Sequence, residues 1–242
     1  MQSAFVSGLW GDAVQLARPG IKPFKVYDDV QKAATWEHKA EPRLVYAYGM
    51  ENQEILCKAG FNAILLSEVA VPNYTGKDDR APNVTGSFAY GASVWRAKIE
   101  FMLEAMQTVD EIVWLDWDIM PTCPVPVDFW TKMREGQPFQ AALRQLHRVQ
   151  CGWRKTDSRK LHHGGFVYVR GREVVNRLLE LCIARPDLND ELIYGLMVDE
   201  LMGGEWLGYE KYLEMGFQPY CYDCRMGACF KPTEPIFYNF GK

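Results

Sequence analysis

Asp116 and Asp118 flank Trp117 in the stretch Glu111-Ile-Val-Trp-Leu-Asp-Trp-Asp-Ile-Met-Pro121. Two carboxylates this close repel each other and lose hydration beside apolar sequence, and a hard divalent cation relieves both costs. Strand side chains alternate faces, so on a regular strand both aspartates point the same way. The spacing alone is unspecific, because a strand that ends in a solvated acidic turn spells the same letters. A lysine raises its weight. At about 100° per residue, a helix over 91–107 gathers Val94, Ala97, Phe101, Met102 and Ala105 on one arc and Arg96, Glu100 and Glu104 opposite. Lys98 falls inside the apolar arc. A buried lysine needs an anion or an escape to the surface. The next strand delivers Asp116 and Asp118, so Lys98 is expected to reach them or a phosphate bound there. The alternative is a side chain that snorkels past the helix end.

A second acidic pair, Asp199 and Glu200, interrupts a helix expected over 190–202 that is apolar nearly all round, with Leu192, Ile193, Leu196, Met197 and Val198. Such a helix is buried, and its two acids either sit near a helix end in water or turn into a pocket; the pocket, where a carboxylate can act as a base, is the reading taken. His162-His163-Gly164-Gly165 precedes the apolar run Phe166-Val-Tyr-Val169. Paired glycines there let backbone approach a ligand closely. Adjacent histidines on an extended chain diverge, which makes a shared metal a weak reading. Between Arg144 and Arg172 stand eight Lys/Arg and one acid, Asp157, in a chain of net charge −4. With Trp153, Arg154, Lys155, Arg159 and Lys160, this stretch is either a solvated loop or a surface for phosphate or a nucleic-acid backbone. Cys221-Tyr-Asp-Cys224 and Cys229 lack a fourth zinc ligand at suitable spacing and are read as ordinary thiols.

The elements that must position these groups alternate. Strands are expected over 4–10, Arg43–Tyr48, 62–67 and 112–115, with helices over 51–59 and 91–107 between them, and Gly60 closing the first of these helices. This rhythm predicts an α/β fold with a mostly parallel, twisted central sheet flanked by helices, and ligands collect at the carboxyl ends of such strands. Pro121, Pro124 and Pro126 are expected to prevent regular pairing after the acidic stretch. A helix near 127–135, a strand Phe139–Leu143 and a helix from Gly171 follow. The polar stretch 72–91, with Arg80, reads as a long functional loop.

At 242 residues the chain suits one such domain, 1–242, and no repeat or linker divides it. No apolar run approaches the roughly 20 residues of a membrane helix. The start lacks the basic and apolar regions of a signal peptide, and seven cysteines without framework spacing suggest a reducing compartment. The expected location is cytoplasmic.

The apolar strand with Asp116-Trp-Asp118, preceded by a helix carrying an inward lysine, resembles the DxD region of GT-A glycosyltransferases. The order of elements, from Phe5-Val-Ser-Gly8 to the later acidic helix, is similar too. The ending Ile236-Phe-Tyr-Asn-Phe-Gly-Lys242 weakly resembles the closing His-x-x-Gly-x-x-Lys of glycogenin-like enzymes, with Asn239 in place of the histidine and a shorter spacing to the lysine. The resemblance implies a single GT-A, Rossmann-like domain. Its 1–122 half would bind nucleotide sugar and metal, and its 123–242 half the acceptor. It implies Mn²⁺ or Mg²⁺ on Asp116, Asp118 and Asn239, and a nucleotide-sugar donor, a UDP-sugar first, held by Ser7, Gly8, Trp10, Lys98, Asp116 and Lys242. Asp199, Glu200 and Lys98 would be the catalytic groups, and Trp153, Arg154, His163, Gly164 and Gly165 would face the acceptor. The implied activity is hexosyl or pentosyl transfer to a hydroxyl of a saccharide, a protein or a hydroxymethylated, flipped DNA base. Two other classes fit the same aspartates, a metal-dependent phosphoryl or nucleotidyl transferase and a non-catalytic nucleotide-binding module.

Overall fold

A computed structural model describes residues 1–10, 25–66, 92–143, 162–185, 188, 190–219, 221–223 and 235–240. The apolar runs of the first half become β1 (Ser3–Leu9), β2 (Arg43–Tyr48), β3 (Ala63–Leu66) and β4 (Glu111–Leu115). Between them lie helices α1 (Lys25–Thr35), α2 (Met50–Lys58) and α3 (Ala92–Ala105). These four strands are parallel. Gly60, at φ +99°, stands just past the last residues of α2, where a left-handed conformation releases the chain from the helix.

The second half adds α4 (Phe129–Arg134), β6 (Phe139–Leu143), β7 (His162–Arg170), α5 (Arg172–Ala184), α6 (Asp190–Leu201) and α7 (Tyr209–Glu214). Strand β7 lies antiparallel to β4, and β6 antiparallel to β7, so one six-stranded sheet runs β3-β2-β1-β4-β7-β6. From β1 the chain winds outward through β2 and β3 and then crosses to the other side of β1. The order therefore reverses between β1 and β4, and the carboxyl ends of these two strands border a crevice.

Alternation along the strands builds a layer on each face. Val6, Tyr46, Ile112 and Trp114 pack with Phe101 and Met102 of α3, Leu178 of α5 and Ile193 of α6. Phe5, Val113 and Leu115 pack with Phe129 and Met133 of α4, while Val45 and Ala47 meet Val30 of α1 and Leu56 of α2. At the amino end of β4, Glu111 is fully buried, and Arg134, Ser3 Oγ and Tyr168 Oη bind its carboxylate. Satisfying every lone pair is what makes a buried carboxylate tolerable. Burial and then the bond to Glu111 push the Tyr168 phenol well above its ordinary range.

A second, small sheet was not expected from the sequence. Strands β5 (Ile119–Pro121), β8 (Tyr222–Asp223) and β9 (Phe237–Asn239) pair in the order β5-β9-β8, with Ile119 opposite Asn239 and Pro121 opposite Phe237. Pro121 thus does not prevent pairing; it stands at the end of β5, where a missing N–H interrupts little. Among the described residues, no helix is long and apolar enough to cross a membrane.

Candidate active site

Asp116 and Asp118 lie past the end of β4 rather than on it. The Ile119 N–H donates to the Asp116 carbonyl at 3.0 Å, so the four residues from Asp116 to Ile119 form a turn between β4 and β5. The strand rule for a shared face therefore does not apply. What orders the turn is Trp117. Its ring is buried, its Nε1–H donates to the Gly8 carbonyl at 2.9 Å, and the Arg43 guanidinium lies 4.7 Å from its centre. With the indole pinned inward, Asp116 and Asp118 stay partly exposed at the crevice between β1 and β4.

Lys98 is 1% exposed, and its Nζ lies 3.2 Å from Asp116 Oδ1 and 2.7 Å from Asp190 Oδ2. It also donates to the Gly164 carbonyl at 2.9 Å and sits 5.4 Å from the centre of the Trp114 ring. Trp114 Nε1–H donates to the same Asp116 oxygen at 2.7 Å. Burial pulls the ammonium pKa down, but the Asp116 and Asp190 carboxylates more than offset it, and Lys98 ends above the ordinary lysine range. The lysine does not snorkel; the angular misfit in α3 marks a buried ion-pair cluster.

Asp190 and Glu191 are the acidic residues that the sequence reading missed. Both are buried in the first turn of α6. Asp190 Oδ1 accepts the Glu191 N–H at 3.0 Å, and Glu191 Oε1 accepts the Gly164 N–H at 3.4 Å. Their signal in the sequence was weak, because acids in a first turn also suit the helix dipole in open water.

The reading of Glu200 as pocket-facing is corrected. Glu200 is exposed, and its carboxylate pairs with Arg177 of α5 at 2.6 Å. Asp199 is half-buried near the far end of α6. Helical rise sets both residues roughly 13–15 Å along the axis from Asp190. Pairing with Arg177 accounts for the outward direction of Glu200 on this helix.

The glycine pair lies inside β7, not ahead of it, and each glycine admits a neighbour from a different direction. A Cβ on Gly164 would stand 2.4 Å from Asp190 Oδ2, and one on Gly165 2.5 Å from Ile119 Cδ1. The Gly165 carbonyl accepts the Asp116 N–H at 2.9 Å, extending the ladder from β4 into the acidic turn. His162 and His163 diverge as an extended chain requires, toward Tyr212 and Tyr222 respectively. His163 Nδ1 accepts the Gly165 N–H at 3.0 Å, and its Nε2 lies 3.3 Å from the Asn239 amide nitrogen. Which member of the His163–Asn239 contact donates follows the imidazole tautomer and the amide orientation.

Ser7 is corrected as a group that contacts donor. It is fully buried, its hydroxyl donates to the Leu115 carbonyl at 2.6 Å, and its oxygen accepts from Arg43. Gly8 leaves room for the Phe101 ring, which a Cβ would meet at 2.3 Å. Trp10 stands half-buried against Phe101 and Trp114 at the carboxyl end of β1. Lys242, Trp153, Arg154, Lys155, Arg159, Lys160 and Arg80, with Cys224 and Cys229, lie outside the described residues.

The oxygen donors suit a hard cation. Asp116 keeps its second oxygen clear of the Lys98 contact, Asp118 is half-buried, and β9 brings Asn239 level with the residue after Asp118. Among the described residues, no three His, Cys, Asp or Glu side chains group as a closed metal cage. Carboxylate and amide oxygens are the ligand types that Mg²⁺ and Mn²⁺ take.

No protein-family model matches the sequence, and no curated protein matches it. Solved structures do. The chain superposes on mouse xyloside xylosyltransferase 1 with a TM-score of 0.51 at 12% identity, covering 98% of this chain and 97% of that one. It superposes on the galactosyltransferase LgtC, solved with donor and acceptor sugar analogues, with a TM-score of 0.50 at 10% identity, covering 98% and 86%. At such identities the likeness concerns architecture: this chain has the mixed α/β, GT-A type of fold that those two glycosyltransferases adopt.

Proposed function

We propose that the protein is a metal-dependent glycosyltransferase that moves a sugar from a nucleotide sugar, a UDP-sugar first, to a hydroxyl acceptor. One observation carries the reading: an acidic turn at the point where the strand order reverses, held from beneath by a buried lysine, in a fold shared with two sugar transferases.

In this reading Asp116, Asp118 and Asn239 hold Mn²⁺ or Mg²⁺, which when bound supplies positive charge to the diphosphate leaving group. The chain's own part is positional. Lys98 binds one oxygen each of Asp116 and Asp190, and so fixes the acidic turn against the start of α6. Trp117 and Trp114 hold the same turn from the sheet, so the carboxylates need little rearrangement when donor arrives. Lys98 and Asp190 are therefore positioning residues. Trp10, at the end of β1, offers a ring edge beside the nucleotide, and His163, Gly164 and Gly165 border the sugar and acceptor side. Residues 1–122 supply the donor half and 123–242 the acceptor half. The acceptor is a saccharide or protein hydroxyl or a hydroxymethylated DNA base; the basic stretch 144–172 favours an anionic one.

A panel of nucleotide sugars with Mn²⁺, read by thermal shift and by released nucleoside diphosphate, tests the proposal. Stabilisation and release with at least one donor is the expected result. Silence across the panel, with turnover of nucleoside triphosphates, would move the assignment to phosphoryl transfer; binding without turnover would leave a nucleotide-binding module. Salt-sensitive DNA retention that is lost on neutralising Arg154, Lys155, Arg159 and Lys160 selects the DNA acceptor, and indifference to DNA at low salt removes it.

A further inference from the structure

Toward the amino-terminal ends of β2 and β3, the end of α1, residues 36–42, residues 60–62 and β5 enclose a cavity of about 530 Å³. That volume suits a small organic molecule. Its walls include Trp36, Phe61, Met120 and Pro121, and Arg43 lies among them.

Arg43 is an inward-facing cation without an acid. Its Nε and Nη2 donate to Ser7 Oγ at 3.1 and 2.6 Å, and its guanidinium lies 4.7 Å from the Trp117 ring centre and 5.6 Å from that of Phe61. Among the described residues no carboxylate pairs with it, and Nη1 has no protein acceptor. The other inward cations are answered by acids, Lys98 by Asp116 and Asp190, and Arg134 by Glu111. Burial brings the Arg43 pKa down to about 10, yet the group remains cationic at neutral pH; Glu41, on the same cavity wall, makes no ion pair with it. A partly buried charge held between rings without a protein counter-ion favours an anion, and a planar guanidinium fits carboxylate and phosphate oxygens. Lys39, exposed at the rim, donates from Nζ to the Ala34 carbonyl at 2.5 Å and adds a second positive charge to the cavity wall.

We propose that this cavity binds a small oxyanion, a carboxylate or phosphate monoester on an aromatic or otherwise apolar body, with Arg43 as its counter-ion and Trp36 and Phe61 as walls for the body. The site does not depend on the sugar-transfer reading, because it shares neither Asp116 nor Asp118.

Titrating the full chain in EDTA with phenyl phosphate and with benzoate tests this, by calorimetry and by the indole N–H signals of Trp36 and Trp117. At least one probe is expected to saturate below about 1 mM, to weaken as salt is raised, and to lose tenfold or more in affinity in Arg43→Gln. Neutral benzyl alcohol is expected not to bind. Tighter phenyl phosphate assigns a phosphate ligand; tighter benzoate, a carboxylate. Failure of both probes to saturate, equal affinity in Arg43→Gln, or loss of binding in Asp118→Asn would overturn the proposal. Should Arg43→Gln not fold, Asn62→Trp at the exposed rim is expected to block binding with the arginine intact, and undiminished binding there overturns it too.

Discussion

Lys98 of α3 and Asp190, the first residue of α6, meet at 2.7 Å across 92 residues of chain, both almost wholly excluded from water. The contact ties two helices on one face of the sheet to the carboxyl end of β4, and removing either partner strands a charge. Lys98→Met is expected to cost about 3–5 kcal/mol in urea unfolding. The double variant Lys98→Met/Asp190→Leu is expected to recover most of that loss, because a buried pair exchanged for apolar groups is close to neutral. Donor turnover should stay low in both. A double variant with normal turnover would make the pair purely structural.

Gly164→Ala probes the same cluster without touching a charge. Its new methyl would meet Asp190 Oδ2 at 2.4 Å and Lys98 Nζ at 3.3 Å. A loss of about 1–3 kcal/mol is expected, together with slower donor turnover. Wild-type stability would mean that α6 shifts freely, which the Lys98 contacts argue against.

Asp118→Ala is expected to remove manganese-dependent binding of UDP-sugar by calorimetry, while Glu200→Ala leaves it intact because Glu200 pairs with Arg177 on the outer surface. Unchanged manganese-dependent binding in Asp118→Ala would count against the acidic turn as the metal site.

Alkali should act through buried neutral groups. Burial, and then the charge of Asp190, push the Cys182 thiol up to about 12, and burial with Glu104 pushes the Tyr46 phenol up to about 12. A raised folded pKa means that the native state keeps its proton longer. The stabilisation is whole below the unfolded values near 9 and 10 and is lost as pH climbs toward about 12. The urea midpoint is expected to fall over that window, reflecting a loss of unfolding free energy on the order of 2–4 kcal/mol from Cys182. At pH near 8, iodoacetamide should label the exposed Cys57 and spare Cys182 and Cys221. Equal labelling of the three in native protein would contradict the burial described.

The parts legible in the sequence were those with a local signature. Arg43–Tyr48 and Phe139–Leu143 appear at the expected bounds, since a short apolar run closed by glycine or charge leaves little choice. Lys98 was legible because its position contradicted its helix. Asp190 and Glu191 were not, because what buries them comes from elsewhere: Nζ from α3 and an N–H from β7. Glu200 misled for the mirror reason, as its helical angle gave no hint that Arg177 would hold it outward. Strands of two or three residues, such as β8 and β9, are too short for any periodicity to register.

The pairing of β5 with β9 has a bearing on how this protein comes into being. Thr122 hydrogen-bonds to the carbonyls of Pro235 and Ile236, 113 and 114 positions later, directly beyond the acidic turn. During synthesis the large sheet has every strand available long before residues 237–239 emerge from the ribosome. Closure over such sequence distance is slow. The segment that follows Asp118 therefore waits, unpaired, until residues 235–239 have been made, and the acidic turn gains its second sheet only after the large sheet has all its strands.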